Sequence, residues 1–231
     1  MRKIWFAMLL LSFAPRSLAY CNTRPRLVCA EYSNSKLVVV AKLMRIEHIP
    51  PRNEKELDGF LYTLAPVSML KGDVGQTFEV YEENSSGRAP FSWANNETYL
   101  LFLNRNPDGT WWLYGCGNSA PLKAARYALR AIESMKARKG GLIHGLVRGD
   151  FAPYWERLSV DVRGDRKSYH AVTDKDGLFK IHVPAGHYEV RVIKEGSRFQ
   201  IDRINSFEDP DNLEIEDGGC AQVQFEPHAA R

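Results

Sequence analysis

Residues 172–192 read VTDKDGLFKIHVPAGHYEVRV and allow two interpretations, a calcium-binding loop or a β scaffold. Asp174, Asp176 and Gly177 have the spacing found in the middle of a helix-loop-helix calcium loop. Such a loop also needs an oxygen ligand at its first position and a glutamate at its last. Val172 and Val183 occupy these two positions, and neither side chain can bind calcium. The stretch therefore lacks the ligands of this kind of metal site.

The residues after Gly177 alternate between apolar and polar with a period of two, which is typical of strands. Residues 174–177 have the composition of a hairpin turn, because glycine accepts a positive φ. Residues 183–186 form a second turn, in which Pro184 fixes φ. His182 falls on a polar strand face. These patterns predict an antiparallel β scaffold with no metal ligand.

The N-terminus is typical of a secretory signal peptide. Arg2 and Lys3 precede an apolar stretch of 11 residues (4–14), and Ser17-Leu18-Ala19 supplies a small-x-small cleavage site. We predict that residues 1–19 are removed and that the protein is secreted or periplasmic. No later stretch is long and apolar enough to span a membrane.

Removal of residues 1–19 also removes the apparent basicity of the chain. Three of the 31 basic residues lie in this segment, which contains no acid, so 28 basic and 28 acidic residues remain. Nucleic-acid binding proteins usually have a basic excess. We therefore expect no nucleic-acid partner.

Four cysteines remain after cleavage: Cys21, Cys29, Cys116 and Cys220. An even number in an exported chain predicts two disulfides, in one of three pairings that spacing does not distinguish. Residues 18–21 are similar to a bacterial lipobox, but the tyrosine before the cysteine is unfavourable. We therefore do not expect a lipid anchor.

Residues 20–139 contain short strands followed by one helix. The pattern predicts strands at 37–46, 60–70, 77–81, 98–103 and 111–114. The helix is predicted at residues 121–139, with Ser119 as its cap and a double glycine at its end. Its polar side has six cations opposed only by Glu133, namely Lys123, Arg126, Arg130, Lys136, Arg138 and Lys139. We interpret this side as a solvated face, with an anionic partner as the alternative.

Residues 140–228 contain only strands and turns. Seven strands in fewer than 90 residues predict a β-sandwich. They are expected at 142–148, 158–163, 168–173, 177–183, 186–194, 200–204 and 221–225. The fold class is thus mainly β, in two domains.

The second domain resembles the carboxypeptidase regulatory-like family, which has a transthyretin-like fold. The resemblance rests on GLIHGLVRG (141–149), YHAVTDKDGLFKIHVPAGHYEVRV (169–192) and GGCAQVQF (218–225). It implies a seven-stranded Greek-key sandwich. It also implies a non-catalytic module that accompanies other domains in secreted proteins.

The first domain resembles the netrin-like module of the tissue inhibitors of metalloproteinases. The resemblance rests on LVVVAKLMRI (37–46), FSWANNETYLLFL (91–103) and YGCGNSAPL (114–122). It implies an OB-type five-stranded barrel with a C-terminal helix. It also implies that Cys21 pairs with Cys116 and, as a consequence, that Cys29 pairs with Cys220.

Inhibition in that family depends on the amine of an N-terminal cysteine, which reaches the target's zinc. Here Tyr20 is expected to precede Cys21 in the mature chain. The C-x-C opening of the family is also reduced to one cysteine. These departures argue against the inhibitory chemistry.

The sequence contains none of the common catalytic motifs. H-E-x-x-H, G-x-S-x-G and the phosphate loop are absent, as is the Tyr-Arg-Gly-Ser terminus of the transthyretin-like hydrolases. We therefore predict no catalytic residues, no metal and no cofactor.

Most of the aromatic residues are expected to fill the two cores. Tyr154 and Trp155 lie in an irregular stretch and are the candidates for a binding patch or a domain interface. The function predicted is that of an exported, non-catalytic protein that binds a protein or a cell-envelope component. The alternative is a metalloprotease inhibitor that acts through the first domain.

Overall fold

The computed structural model describes residues 26–51, 57–85, 91–148, 155–194, 198–201 and 208–228. Side chains at 198–201 and 227–228 are not described. No helix in these ranges combines the length and the apolar character needed to cross a membrane.

The first part of the chain forms a barrel with two helices. Its elements, in chain order, are α1 (Val28–Asn34), β1 (Leu37–Ile49), β2 (Gly59–Lys71), β3 (Phe78–Glu83), β4 (Thr98–Arg105), β5 (Trp111–Leu113), β6 (Ala120–Pro121) and α2 (Arg126–Met135). Strands β1, β2, β3, β5 and β4 pair in that order, and β4 also pairs with β1, which closes the barrel. The predicted five-stranded barrel with a following helix is confirmed.

The first part of strand β1, residues 37–41, is buried on both faces, which explains its continuous apolar run. Leu37, Val39 and Leu43 point into the barrel, together with Leu64 and Leu101. The intervening valines belong to a second cluster beneath α2, which is formed by Val38, Val40, Leu100, Phe102, Ala128 and Ile132. The helix therefore covers one side of the barrel.

The beginning of α2 differs from the prediction. The helix starts at Arg126, after turns at residues 122–125, and no side chain caps it. The Ser119 hydroxyl instead accepts a hydrogen bond from the backbone N–H of Phe102 at 2.9 Å. Ser119 is thus not the helix cap, because Ala120 and Pro121 pair with β4.

The second part of the chain is a sandwich of two four-stranded sheets. Its elements are β7 (Gly141–Val147), β8 (Ser159–Gly164), β9 (Ser168–Val172), β10 (Leu178–Val183), β11 (Gly186–Ile193), β12 (Arg198–Ile201), β13 (Leu213–Ile215) and β14 (Cys220–His228). One sheet has the order β10-β7-β14-β12 and the other β13-β11-β8-β9. Both contribute to one core, so the predicted sandwich is confirmed. Strand β13 was not among the seven predicted strands.

The stretch that suggested calcium is a tight turn that connects β9 in one sheet to β10 in the other. The prediction of a hairpin is wrong here, because β9 pairs with β8 and β10 pairs with β7. Gly177 has φ 73° and donates to the Asp174 carbonyl at 3.0 Å. The Asp174 carboxylate accepts from the backbone N–H groups of Asp176 and Leu178, each at 2.9 Å. The carboxylate therefore stabilises the turn, as the scaffold interpretation predicted.

Candidate functional site: the seam and the Trp155 patch

A disulfide joins the barrel part of the chain to the sandwich. Cys29 of α1 is bonded to Cys220 at the start of β14, with a Cα–Cα distance of 5.4 Å and a sequence separation of 191. This pairing is confirmed. Cys116 is also disulfide-bonded, but its expected partner, Cys21, lies outside the described residues.

Helix α1 lies between α2 and β14, and polar contacts fix it there. The N–H of Leu27 donates to Gln222 Oε1 at 2.8 Å. The N–H of Gln222 donates to Glu208 Oε2 at 2.9 Å, and Asn34 Nδ2 donates to Glu208 Oε1. We call this contact region between α1 and the sandwich the seam. Its hydrogen bonds hold both ends of α1.

On the barrel side of α1, the carboxyl group of Glu31 is buried. Glu31 is 1% exposed and accepts two hydrogen bonds from Asn118, from the backbone N–H at 2.6 Å and from Nδ2 at 2.7 Å. Asn118 Nδ2 also donates to the Arg26 carbonyl at 2.9 Å. Burial raises the pKa of Glu31, although the Asn118 bonds and the charge of Arg26 oppose this shift.

The carboxyl group of Glu208 is the most perturbed acid of the seam. Part of the residue reaches solvent, but burial of the carboxyl group raises its pKa to about 7. Hydrogen bonds from Gln222 and Asn34 and the charge of Arg26 act in the opposite direction. Burial also lowers the pKa of Arg26, whose guanidinium carbon lies 4.6 Å from the centre of the Tyr114 ring. The seam therefore contains ionisable groups whose pKa values are shifted by burial.

Sequence analysis did not predict the seam. Helix α1 has seven residues and no side-chain cap, so it lacks the usual start and stop signals. The one available signal was Glu31, an acid close to Cys29 in a short apolar run. Glu208 gave no signal, because its partner Asn34 is 174 positions away.

Of the predicted binding residues, Trp155 is described and Tyr154 lies outside the described residues. Trp155 is partly buried and packs against the sandwich core. Its carbonyl accepts from Thr173 Oγ1 at 2.7 Å, and Lys194 Nζ lies 4.5 Å from the centre of its ring. Trp155 is thus fixed between the core and the surface.

Two exposed aliphatic side chains, Val172 and Ile193, directly precede the residues that contact this tryptophan, Thr173 and Lys194. Ser159 of β8 pairs with Val172 on one side and with Ile193 on the other, so these residues share the outer face of the sheet. Val172 is 51% exposed and Ile193 is 47% exposed. Trp155 packs on the opposite, core side of the same sheet. We call this end of the sheet, with Trp155 on its core side and the row Val172, Ser159 and Ile193 on its outer face, the Trp155 patch.

Aromatic residues of the barrel have a different role. Phe91, Trp93 and Trp111 pack against the barrel core, as predicted. Trp93 stacks on Tyr62 with a ring-centre distance of 4.4 Å. This group therefore extends the barrel core.

No family model matches the chain, and no curated protein matches it. A search of solved structures found the Bacillus anthracis TIE protein, with 9% sequence identity and a TM-score of 0.30. The match covers 79% of this chain and 40% of that chain, so this chain spans less than half of that structure's length. A similarity at this level carries no argument about function.

Proposed function

We propose that this protein is exported, has no catalytic activity and binds a protein partner through the Trp155 patch. The observation that carries the proposal is the outer-face row in which the half-exposed Val172 and Ile193 flank Ser159. Apolar side chains grouped on a protein surface are typical of sites of protein interaction.

The outer face of the patch suits an apolar protein surface. Full burial of an aliphatic side chain stabilises a complex by about 1.5–3 kcal/mol relative to full exposure. Val172 and Ile193 are half-exposed, so about half of this contribution remains available to a partner.

The rigidity of the surrounding structure supports the proposal. The patch lies on paired strands, and the Thr173 hydroxyl connects Trp155 to the backbone of Leu158. A surface ordered before binding loses little conformational entropy in the complex. The disulfide between Cys29 and Cys220 holds the sandwich beside the barrel.

The alternative, metalloprotease inhibition, gains no specific support from the structure. The residues on which it depends, Tyr20 and Cys21, lie outside the described residues. We therefore retain the binding proposal.

Photo-crosslinking in the producing cells tests the proposal. A benzophenone amino acid at position 172 or 193 should give one and the same protein adduct. Val67 of β2, which is 65% exposed, provides the matched control position. Adducts at all three positions, or at position 67 alone, would contradict the proposal.

A matched pair of substitutions completes the test on the purified complex. The double variant Val172→Glu, Ile193→Glu should weaken binding by about tenfold or more, whereas Val67→Glu should not. Circular dichroism and unfolding midpoints would show that both variants are folded. Equal affinity for the patch variant and the wild type would exclude this surface.

A further inference from the structure

A cleft of about 530 Å³ opens where the segment after α2 meets the sandwich. Residues 138–141 form one side, and residues 182–184 at the end of β10 form another. The turn that contains Gly218 and Gly219 closes the base, next to Cys29. The cleft is thus built from both parts of the chain and is separate from the Trp155 patch.

The walls of the cleft are fixed by close backbone contacts. Gly140 has φ 68° and Gly218 has φ 76°, both in the left-handed region that favours glycine. A Cβ atom on Gly218 would lie 2.1 Å from the Met135 carbonyl oxygen. The N–H of Gly218 donates to the Gly140 carbonyl at 2.7 Å, and the N–H of Gly140 donates to Asp217 Oδ1 at 2.6 Å. The cleft is therefore preformed.

The charged or titratable side chains that line the cleft are those of Arg138, Lys139 and His182, and the described lining residues include no carboxylate. Asp217 does not line the cleft, and its carboxylate accepts from the Gly140 N–H. Arg138 donates to the hydroxyl of Ser134 at 3.2 Å, which leaves its charge unneutralised. Within the described chain, neither Lys139 nor His182 has a carboxylate within ion-pair distance. The cleft therefore favours an anion electrostatically.

The remaining lining is largely apolar. Leu142, Val183 and Pro184 form part of the wall. Small-molecule sites commonly combine an apolar wall with a few polar groups that fix orientation. We infer that the cleft binds a small organic anion, in which a carboxylate or phosphate contacts Arg138 and Lys139 and an apolar body contacts Leu142 and Val183.

The other cations of α2 do not form such a site. Arg126 and Arg130 are exposed on the helix surface, and neither lines this cleft. They therefore fit the solvated face that the sequence suggested. They also provide a control with the same charge as the cleft pair.

Calorimetry on the full exported chain tests the inference with two probes, phenyl phosphate and benzoate. Both should bind saturably and raise the unfolding temperature with concentration, because a ligand of the folded state stabilises it. Benzyl alcohol, a neutral molecule of similar size, should bind at least about tenfold more weakly. Equal binding of the alcohol, or no saturable binding of either anion, would overturn the inference.

Paired variants locate the site. Arg138→Ala, Lys139→Ala should weaken phenyl phosphate binding by about tenfold or more, and Arg126→Ala, Arg130→Ala should leave it unchanged. Equal losses of affinity in the two double variants would show that phenyl phosphate responds only to the net charge of the protein. That result would contradict the proposed site. In amide NMR spectra, the probe should shift Gly218 and Gly219 in the wild type. Shifts confined to other residues would also contradict it.

Discussion

Asn34 of α1 donates a hydrogen bond from Nδ2 to Oε1 of Glu208, 174 positions away in the sequence. The contact places a carboxyl group with a raised pKa between the first helix and the sandwich. Because this pKa is about 7, the charge of Glu208 changes within the physiological pH range. We therefore expect the docking of α1 to depend on pH.

We predict that the free energy of unfolding falls as pH rises from about 4.5 to about 7. Glu208 has a folded pKa raised from 4.5 to about 7, so the folded state binds its proton more tightly than the unfolded state does. This contribution is fully present below pH 4.5 and is lost as pH rises through 7, with an upper bound of about 3 kcal/mol. Glu31 has a pKa shift in the same direction.

The Glu208→Gln variant isolates this contribution in urea unfolding at pH 5 and pH 7.5. The variant should lose less stability than the wild type between the two pH values. Glu214→Gln, at an exposed position of β13, is the control. Asp58, whose pKa is lowered by hydrogen bonds from His48 and Asn84, changes its charge at lower pH and does not contribute to this slope. An unchanged pH slope in Glu208→Gln would refute the coupling.

Removal of the Asn118 side chain should destabilise the protein. Glu31 is 1% exposed and would lose the hydrogen bond from Asn118 Nδ2 in an Asn118→Ala variant. Loss of a hydrogen bond to a buried carboxyl group lowers the free energy of unfolding by about 1–3 kcal/mol. Chemical unfolding at pH 7 measures the change, and Asn95→Ala, at an exposed turn, is the control. Equal stability of the two variants would show that Glu31 does not depend on Asn118.

Non-reducing peptide mapping should give two disulfide-linked peptide pairs. One contains Cys29 and Cys220, as in the structure, and the other is predicted to contain Cys21 and Cys116. Replacement of Cys29 and Cys220 by alanine should lower stability, with an upper bound of roughly 5 kcal/mol for a loop of 191 residues. A different partner for Cys116 would contradict the pairing that the netrin-like resemblance implies.

Protein purified from its native compartment should begin at Tyr20. The tripartite N-terminus predicts cleavage after Ala19. Edman sequencing or intact mass determines the first residue. A chain that starts at Met1, or at a lipid-modified Cys21, would exclude the predicted processing.

The mature protein should not inhibit zinc endopeptidases stoichiometrically. With Tyr20 at the terminus, the Cys21 amine is part of a peptide bond and cannot replace the zinc-bound water. Activity titration against a panel of such proteases is the measurement. Tight one-to-one inhibition that N-terminal acetylation abolishes would favour the alternative function instead.

Most of the secondary structure could be predicted from the sequence. The five barrel strands, most strands of the sandwich and the turn at Gly177 follow from alternation and turn composition, which act between neighbouring residues. The helix was predicted at residues 121–139 and spans Arg126–Met135. Both predicted ends were wrong. The helix begins later because pairing of Ala120 and Pro121 with β4 outweighs the local capping signal of Ser119, and it ends at Met135 instead of residue 139.

The candidate sites depended on the tertiary structure. Helix α1 and strand β13 are too short to have a clear periodicity, and packing against distant segments determines them. Local sequence patterns were sufficient to predict most strands, the turns and which cysteines are available for disulfides. The fold alone decided that Glu208 meets Asn34 and that Val172 and Ile193 flank one serine, because pairing between strands and docking of α1 join residues that are far apart in the chain.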